Sequence, residues 1–127
     1  MRQNQRKRAE QRGRLAEALA ALYLMTKFYR ILARRVRTPL GEVDLVARRG
    51  RQLVFAEVKA RRRPGEALYA VGPQSQRRIA NAARIWLARH PGDAELSIRF
   101  DVIVMAPWRW PGHIAGAFDL SGKGRGI

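Results

Sequence analysis

The sequence predicts one α/β domain, ordered helix, three strands, helix and then one or two further strands. Three observations lead there. The chain has 127 residues, about one domain's worth, and at 46% apolar it has enough hydrophobic residues for one core. Two runs with period-2 alternation, 42–48 and 52–60, stand on either side of a glycine. Beyond them, Ile79, Ala82, Ala83, Trp86 and Leu87 recur at helical spacing.

The elements follow in order. Residues 1–13 are polar and basic and read as a flexible N-terminal arm, 14–120 as the domain, and the Gly-rich 121–127 as a flexible tail. From Leu15 to about Phe28 the residues are strong helix formers without Pro or Gly, which predicts the first helix. Residues 31–36 suit a strand, and Thr38-Pro39-Leu40-Gly41 suits a turn. The two alternating runs then form a hairpin across Arg49-Gly50. Residues 61–72 combine a basic run with Pro64, Gly65 and Gly72 and read as a loop. Pro73 fits the first turn of the second helix, which should end near His90, before Pro91-Gly92. Residues 98–105 predict another strand, and 113–118 a short last one after the loop Pro107-Trp108-Arg109-Trp110-Pro111.

Composition narrows function. Twenty-six Lys and Arg against ten Asp and Glu leave a formal charge of +16, a surface that attracts polyanions, nucleic acid first. The absence of cysteine removes disulfides, thiolate zinc sites and cysteine nucleophiles, and two histidines make a His-rich metal site or a Ser-His-Asp triad a poor fit. A basic start before an apolar run mimics a signal peptide, but Glu17 interrupts the run and Lys27, Arg30, Arg34 and Arg35 follow it. The run is also too short to span a bilayer. The expectation is a cytoplasmic protein without a membrane role, an organellar transit segment being the open alternative.

The acids are more informative than the bases. Between residues 11 and 65 only Glu17, Glu42, Asp44 and Glu57 interrupt fourteen Lys and Arg. With Arg49-Gly50 as the turn, alternation places Glu42, Asp44, Phe55, Glu57 and Lys59 on one sheet face and Val43, Leu45, Val54, Ala56 and Val58 on the other. Asp44 and Glu57 then become diagonal neighbours, roughly 7–8 Å apart at the backbone. Clustered carboxylates repel one another. Their oxygen ligands suit a hard divalent cation, Mg²⁺ or Mn²⁺, and a lysine beside them can hold a phosphate oxygen or a water. That is a site for metal-assisted phosphodiester hydrolysis; the plain alternative is a cluster of salt bridges. Glu17, the only charge between Leu15 and Met25, needs an arginine, a metal or the rim of that site as partner.

Gly41-Glu42-Val43-Asp44-Leu45-Val46, followed by Leu53-Val54-Phe55-Ala56-Glu57-Val58-Lys59-Ala60-Arg61, resembles the bacterial YraN (UPF0102) family. The resemblance extends to residues 16–20, 76–78 and 99–103 and covers roughly 13–119. That family is regarded as a distant relative of Holliday junction resolvases within the PD-(D/E)xK nuclease superfamily. The resemblance implies a restriction-endonuclease-like core, a mixed sheet flanked by helices, and Mg²⁺- or Mn²⁺-dependent DNA cleavage. It makes Asp44 and Glu57 metal ligands, Lys59 the catalytic lysine and Glu17 the helix acid that completes the metal shell. Gln76 matches a polar position near the site, Glu42 belongs to the motif without an assigned role, and Asp101 buttresses the fold. Resolvase relatives act as dimers, which implies a homodimer. Two positions depart from the pattern: Phe28 stands where relatives usually have glycine, and Ser75 where lysine is common.

Twenty-two of the 26 basic residues are arginine, which forks onto phosphate better than lysine. Arg35, Arg37, Arg48, Arg61, Arg62 and Arg78, with Gln76, are the candidate nucleic-acid contacts, DNA ahead of RNA. No helix-turn-helix, zinc finger or RNP pair is present, so base readout is not expected. Trp108 and Trp110 are read first as packing or oligomer residues and second as base-stacking ones; His113 has no visible partner. Two further readings stay open: a non-catalytic nucleic-acid-binding module, and a basic RNA- or ribosome-associated protein.

Overall fold

The computed structural model describes residues 2–61 and 71–119, with side chains from residue 13 onward and at Gln5 and Gln11. Its elements are α1 (Arg2–Thr26), β1 (Arg30–Thr38), β2 (Gly41–Arg49), β3 (Gln52–Ala60), α2 (Pro73–Arg89), a 3₁₀ turn (Pro91–Glu95), β4 (Ser97–Met105) and β5 (Gly112–Phe118). The order and class match the expectation. The first helix starts earlier, its helical backbone running through 2–13. Arg62 and the 121–127 tail lie outside the described residues.

The strands form one mixed sheet in the order β1-β2-β3-β4-β5. β1, β2 and β3 are an antiparallel meander, β3 and β4 are parallel, and β5 returns antiparallel. The parallel pair needs a long crossover, which α2 supplies. Each helix covers one face. Ala20, Ala21 and Leu24 of α1 pack on Leu45, Ala47, Val54, Ala56 and Ile103; the alanines let the helix lie close. Ile79, Ala82 and Ala83 of α2 pack on Val43, Val46, Phe55 and Phe100, where Phe55, Phe100 and Phe118 stack at 5.7 and 4.8 Å. Gly41 lies directly beneath the α2 backbone: a Cβ there would stand 1.9 Å from the Arg78 carbonyl oxygen. Among the described residues no helix is long and apolar enough to cross a membrane.

Two details correct the sequence reading. The hairpin register pairs Arg49 with Gln52 and Leu45 with Ala56, so the turn is Gly50-Arg51, one residue later than expected. Gly50 takes the first turn position with φ 60°, where a II′ turn calls for glycine. The second correction concerns faces. Val43 packs toward α2 while Leu45, two residues on, packs toward α1. Strict alternation therefore breaks at Asp44, and across the β1 ladder Arg35 takes a positive φ of 54°. Phe55 packs under α2 rather than standing beside Asp44.

The turn after α1 forms without glycine. Tyr29 N–H donates to the Leu24 carbonyl and Phe28 N–H to that of Met25, both at 3.0 Å, the paired bonds of a Schellman cap. Phe28 occupies its left-handed position at φ 71° and is 86% exposed, so it bears the steric penalty with little burial in return. Phe28→Gly should stabilise the chain by about 0.5–1 kcal/mol, read as a higher urea midpoint at unchanged m-value; an unchanged or lower midpoint would show that Phe28 contributes packing instead.

Candidate functional site

Three elements bring the acids together. Glu17 on α1 is buried, and its Oε2 lies 3.6 Å from Arg35 Nε. Asp44 on β2 replaces a ladder carbonyl: its Oδ2 accepts the Val58 N–H of β3 at 2.8 Å. Glu57 on β3 has Oε1 3.5 Å from Lys59 Nζ. Where alternation breaks, the Asp44 carboxylate lies in the ladder against Val58, within electrostatic reach of Glu17 on α1 and of Glu57 on β3. Glu42 stands apart, held by Arg78, whose Nε and Nη2 donate at 3.3 and 2.6 Å.

The electrostatics are unusual for so basic a chain. Burial raises the Glu17 carboxyl above its ordinary value and the Asp44 charge raises it further, against Arg35, Arg37 and Arg34. Burial also raises Asp44, more than the Val58 bond, Arg37, Glu17 and Lys59 lower it. Glu57 is raised by burial and by Asp44, with Lys59 opposing. Glu42 behaves in the opposite way, lowered by its Arg78 hydrogen bond, and reads as an ion-pair residue.

A cleft of about 410 Å³ opens over Glu42, Asp44 and Glu57, lined also by Arg37, Ser75 and Arg78 but not by Glu17. Arg37 and Arg78 therefore face it. Arg35 reaches Glu17, and Arg61 lies just past β3, bonding the Ala60 carbonyl. Arg48 bonds Gly50 at the turn, roughly 13 Å along β2 from Asp44 at 3.3 Å per residue, so it flanks the site in sequence only. Gln76 is buried, with its amide nitrogen on the Val71 carbonyl at 2.7 Å. Trp108 and Trp110 are fully exposed rather than packed in the core.

Among the described residues no group of three or more His, Cys, Asp and Glu side chains converges as a ready metal cage. The donors nevertheless fit a hard cation held by one or two carboxylates and several waters. Oε2 of Glu17 and Oε2 of Glu57 are both buried without a hydrogen-bond partner, and a cation would satisfy such oxygens.

The sequence reading missed the groups around Asp101. This residue is wholly buried and accepts hydrogen bonds from Arg99, His113 and the Gly116 amide. An acid inside an apolar strand demands donors, and that demand was the available signal.

A family model described as "Uncharacterised protein family UPF0102" matches residues 16–105. A UPF0102 protein of Mesorhizobium japonicum is 56% identical over 113 residues, covering 89% of this chain and 90% of its own. One of Nitrobacter winogradskyi is 55% identical over 109 residues, 86% and 92% of the two chains. One of Sinorhizobium medicae is 50% identical over 111 residues, 87% and 91%.

Proposed function

This chain belongs to the UPF0102 family, and from the acids gathered on its sheet we propose that it is a metal-dependent endonuclease hydrolysing phosphodiester bonds of DNA, with branched or otherwise structured DNA as substrate. One observation carries the reading. Glu17, Asp44 and Glu57 come from three elements, and burial together with the charge of Asp44 keeps Glu17 and Glu57 above their ordinary pKa in a chain of charge +16. Carboxylates kept together against repulsion, with orphaned oxygens, suit cation binding better than fold support.

Asp44 and Glu57 would hold Mg²⁺ or Mn²⁺, with Glu17 as a further ligand, and such an ion would supply an acidified water and shielding of developing charge. Lys59, 3.5 Å from Glu57 Oε1, would hold a phosphate oxygen or orient that water. Arg37 and Arg78 line the cleft where the scissile strand would enter and neutralise its phosphates. The branched substrate rests on the resolvase resemblance, as does a homodimer matching the two symmetric strands of a junction. A second reading, a non-catalytic nucleic-acid-binding module on the same fold, rests on the same Arg37 and Arg78 lining the cleft.

The test is cleavage of labelled duplex, single-stranded and four-way-junction DNA with Mn²⁺, Mg²⁺ or EDTA. Metal-dependent nicking that falls at least ~100-fold in Glu57→Gln and Lys59→Ala, with DNA affinity kept within a few-fold, is the expected result. Tight binding without cutting, unaffected by chelation or by either change, would establish the binding module instead.

Glu57→Gln also has a signature without metal. A carboxyl raised in the folded state holds its proton longer than in the unfolded chain, so the native state loses stability as pH rises through the interval from the ordinary to the raised value. In EDTA at pH 7, the glutamine variant should melt higher than wild type, and the gap should close as pH falls toward the ordinary glutamate range. A lower melting point at pH 7 would mean that the Lys59 pair stabilises the fold.

A further inference from the structure

Beyond the C-terminal end of α1 lies a second cavity, of about 340 Å³, that the acidic site does not use. Tyr23 of α1, Lys27 just past its end, Tyr29, Arg49, Arg99 and His113 line it. It lies on the α1 face of the sheet, and Tyr23 is roughly 9 Å along the helix from Glu17 at 1.5 Å per residue.

Its charges are arranged, not scattered. Arg99 donates two hydrogen bonds of 2.8 Å to Asp101 and a third to the Tyr29 hydroxyl. Asp101 sits wholly buried behind it, also bound at 2.6 Å by His113 Nε2. That acid is committed to Arg99 and His113, which leaves Lys27 and Arg49 without an acidic partner among the described residues. Both are held in place by aromatic rings: Lys27 Nζ lies 4.7 Å from the Tyr23 ring centre and the Arg49 guanidinium 4.4 Å from that of Tyr29. Arg49 also donates to the Lys27 carbonyl at 3.2 Å. The two cations thus repel across one cavity and are kept there by rings and backbone.

We propose that this cavity is a second anion site that takes a phosphate group, with Lys27 and Arg49 as its charged contacts and the Tyr23 and Tyr29 hydroxyls at its walls. Two converging cations match the double charge and several oxygens of a phosphate better than a lone carboxylate. Fixed in place by the rings, they lose little freedom on binding. The phosphate can come from a nucleic-acid backbone or from a free nucleotide. The site does not depend on the proposed cleavage chemistry.

The experiment titrates ¹⁵N-labelled full-length protein with inorganic phosphate in EDTA, using wild type, Glu57→Gln, Lys27→Ala/Arg49→Ala, and Arg77→Ala/Arg89→Ala on the exposed face of α2 as a charge-matched control. Saturable shifts at Tyr23, Lys27, Tyr29 and Arg49, kept in Glu57→Gln and in the control and weakened at least ~10-fold in the Lys27/Arg49 pair, are expected. Loss of these shifts on adding an oligonucleotide assigns the phosphate to a strand; loss with a nucleoside monophosphate alone assigns it to a free nucleotide. Absence of saturable shifts in the cavity, or equal weakening in both double variants, would overturn the proposal by showing only diffuse attraction to a basic surface. Because Glu57→Gln is present throughout, that outcome is distinct from failure of the nuclease reading.

Discussion

Asp101→Ala is expected to destabilise the chain by about 3–5 kcal/mol, the range for removing one member of a buried charge network. The residue is wholly buried in β4, and four donated hydrogen bonds between 2.6 and 3.0 Å converge on it. Truncation leaves the Arg99 guanidinium and the His113 ring facing a vacated polar space, and the Gly116 amide loses its acceptor. Burial alone would raise the Asp101 carboxyl. The bonds from His113, Arg99 and Gly116 outweigh it and hold the group below its ordinary value. A depressed native pKa means that the stabilisation is fully present above the unfolded pKa, near 4, and fades as pH falls through the folded value. Urea denaturation of wild type and Asp101→Ala at pH 7 and pH 3 checks both points: the difference should be large at pH 7 and smaller at pH 3. A loss under about 1 kcal/mol at pH 7 would show that Arg99 and His113 find solvent instead.

The other large effect belongs to a residue with no side chain. A Cβ on Gly41 would stand 1.9, 2.6 and 2.8 Å from the oxygen, carbonyl carbon and Cα of Arg78. All three are backbone atoms of a helix, so no rotamer change relieves the clash. Either α2 lifts from β2 or the β1–β2 turn distorts. Gly41→Ala should therefore cost about 3 kcal/mol or more, with m-value unchanged if the unfolded state is unaffected. Since Arg78 also holds Glu42, the cleft should open in parallel, and under the proposed function cleavage should fall more than DNA binding does. A variant within about 1 kcal/mol of wild type would mean that α2 shifts freely over the sheet.

How far the sequence disclosed this molecule depends on the range of the physics involved. The hairpin strands were legible because alternation is local, and α2 because Ile79, Ala82, Ala83 and Leu87 mark one face. Asp44 and Glu57 stood out because acids are scarce in that stretch, and Lys59 because it follows Glu57 by two residues on one strand face. The register was misjudged because a lone glycine can serve either turn position, and only Gly50 in the first, with Arg51 keeping a negative φ, fits the observed pairing. The break in alternation at Asp44 was hidden, since Val43 and Leu45 are both apolar whichever helix they meet. The partners of His113 were hidden for a different reason. Asp101 and Tyr23 come from two other elements, and only the β4–β5 pairing and the lie of α1 bring them together.

The mixed character of the sheet also bears on how the chain folds. The β2–β3 pairing joins neighbours across a two-residue turn, whereas β3 and β4 pair Gln52 with Ser97 across the whole α2 crossover. Loop closure makes the first contacts fast and the second slow. Asp44 and Glu57 thus come together in an early meander, while the Asp101 network must await the docking of β4. A chain caught midway would have its carboxylates in place on an unfinished sheet, and its slow refolding phase should report β4 rather than the acids.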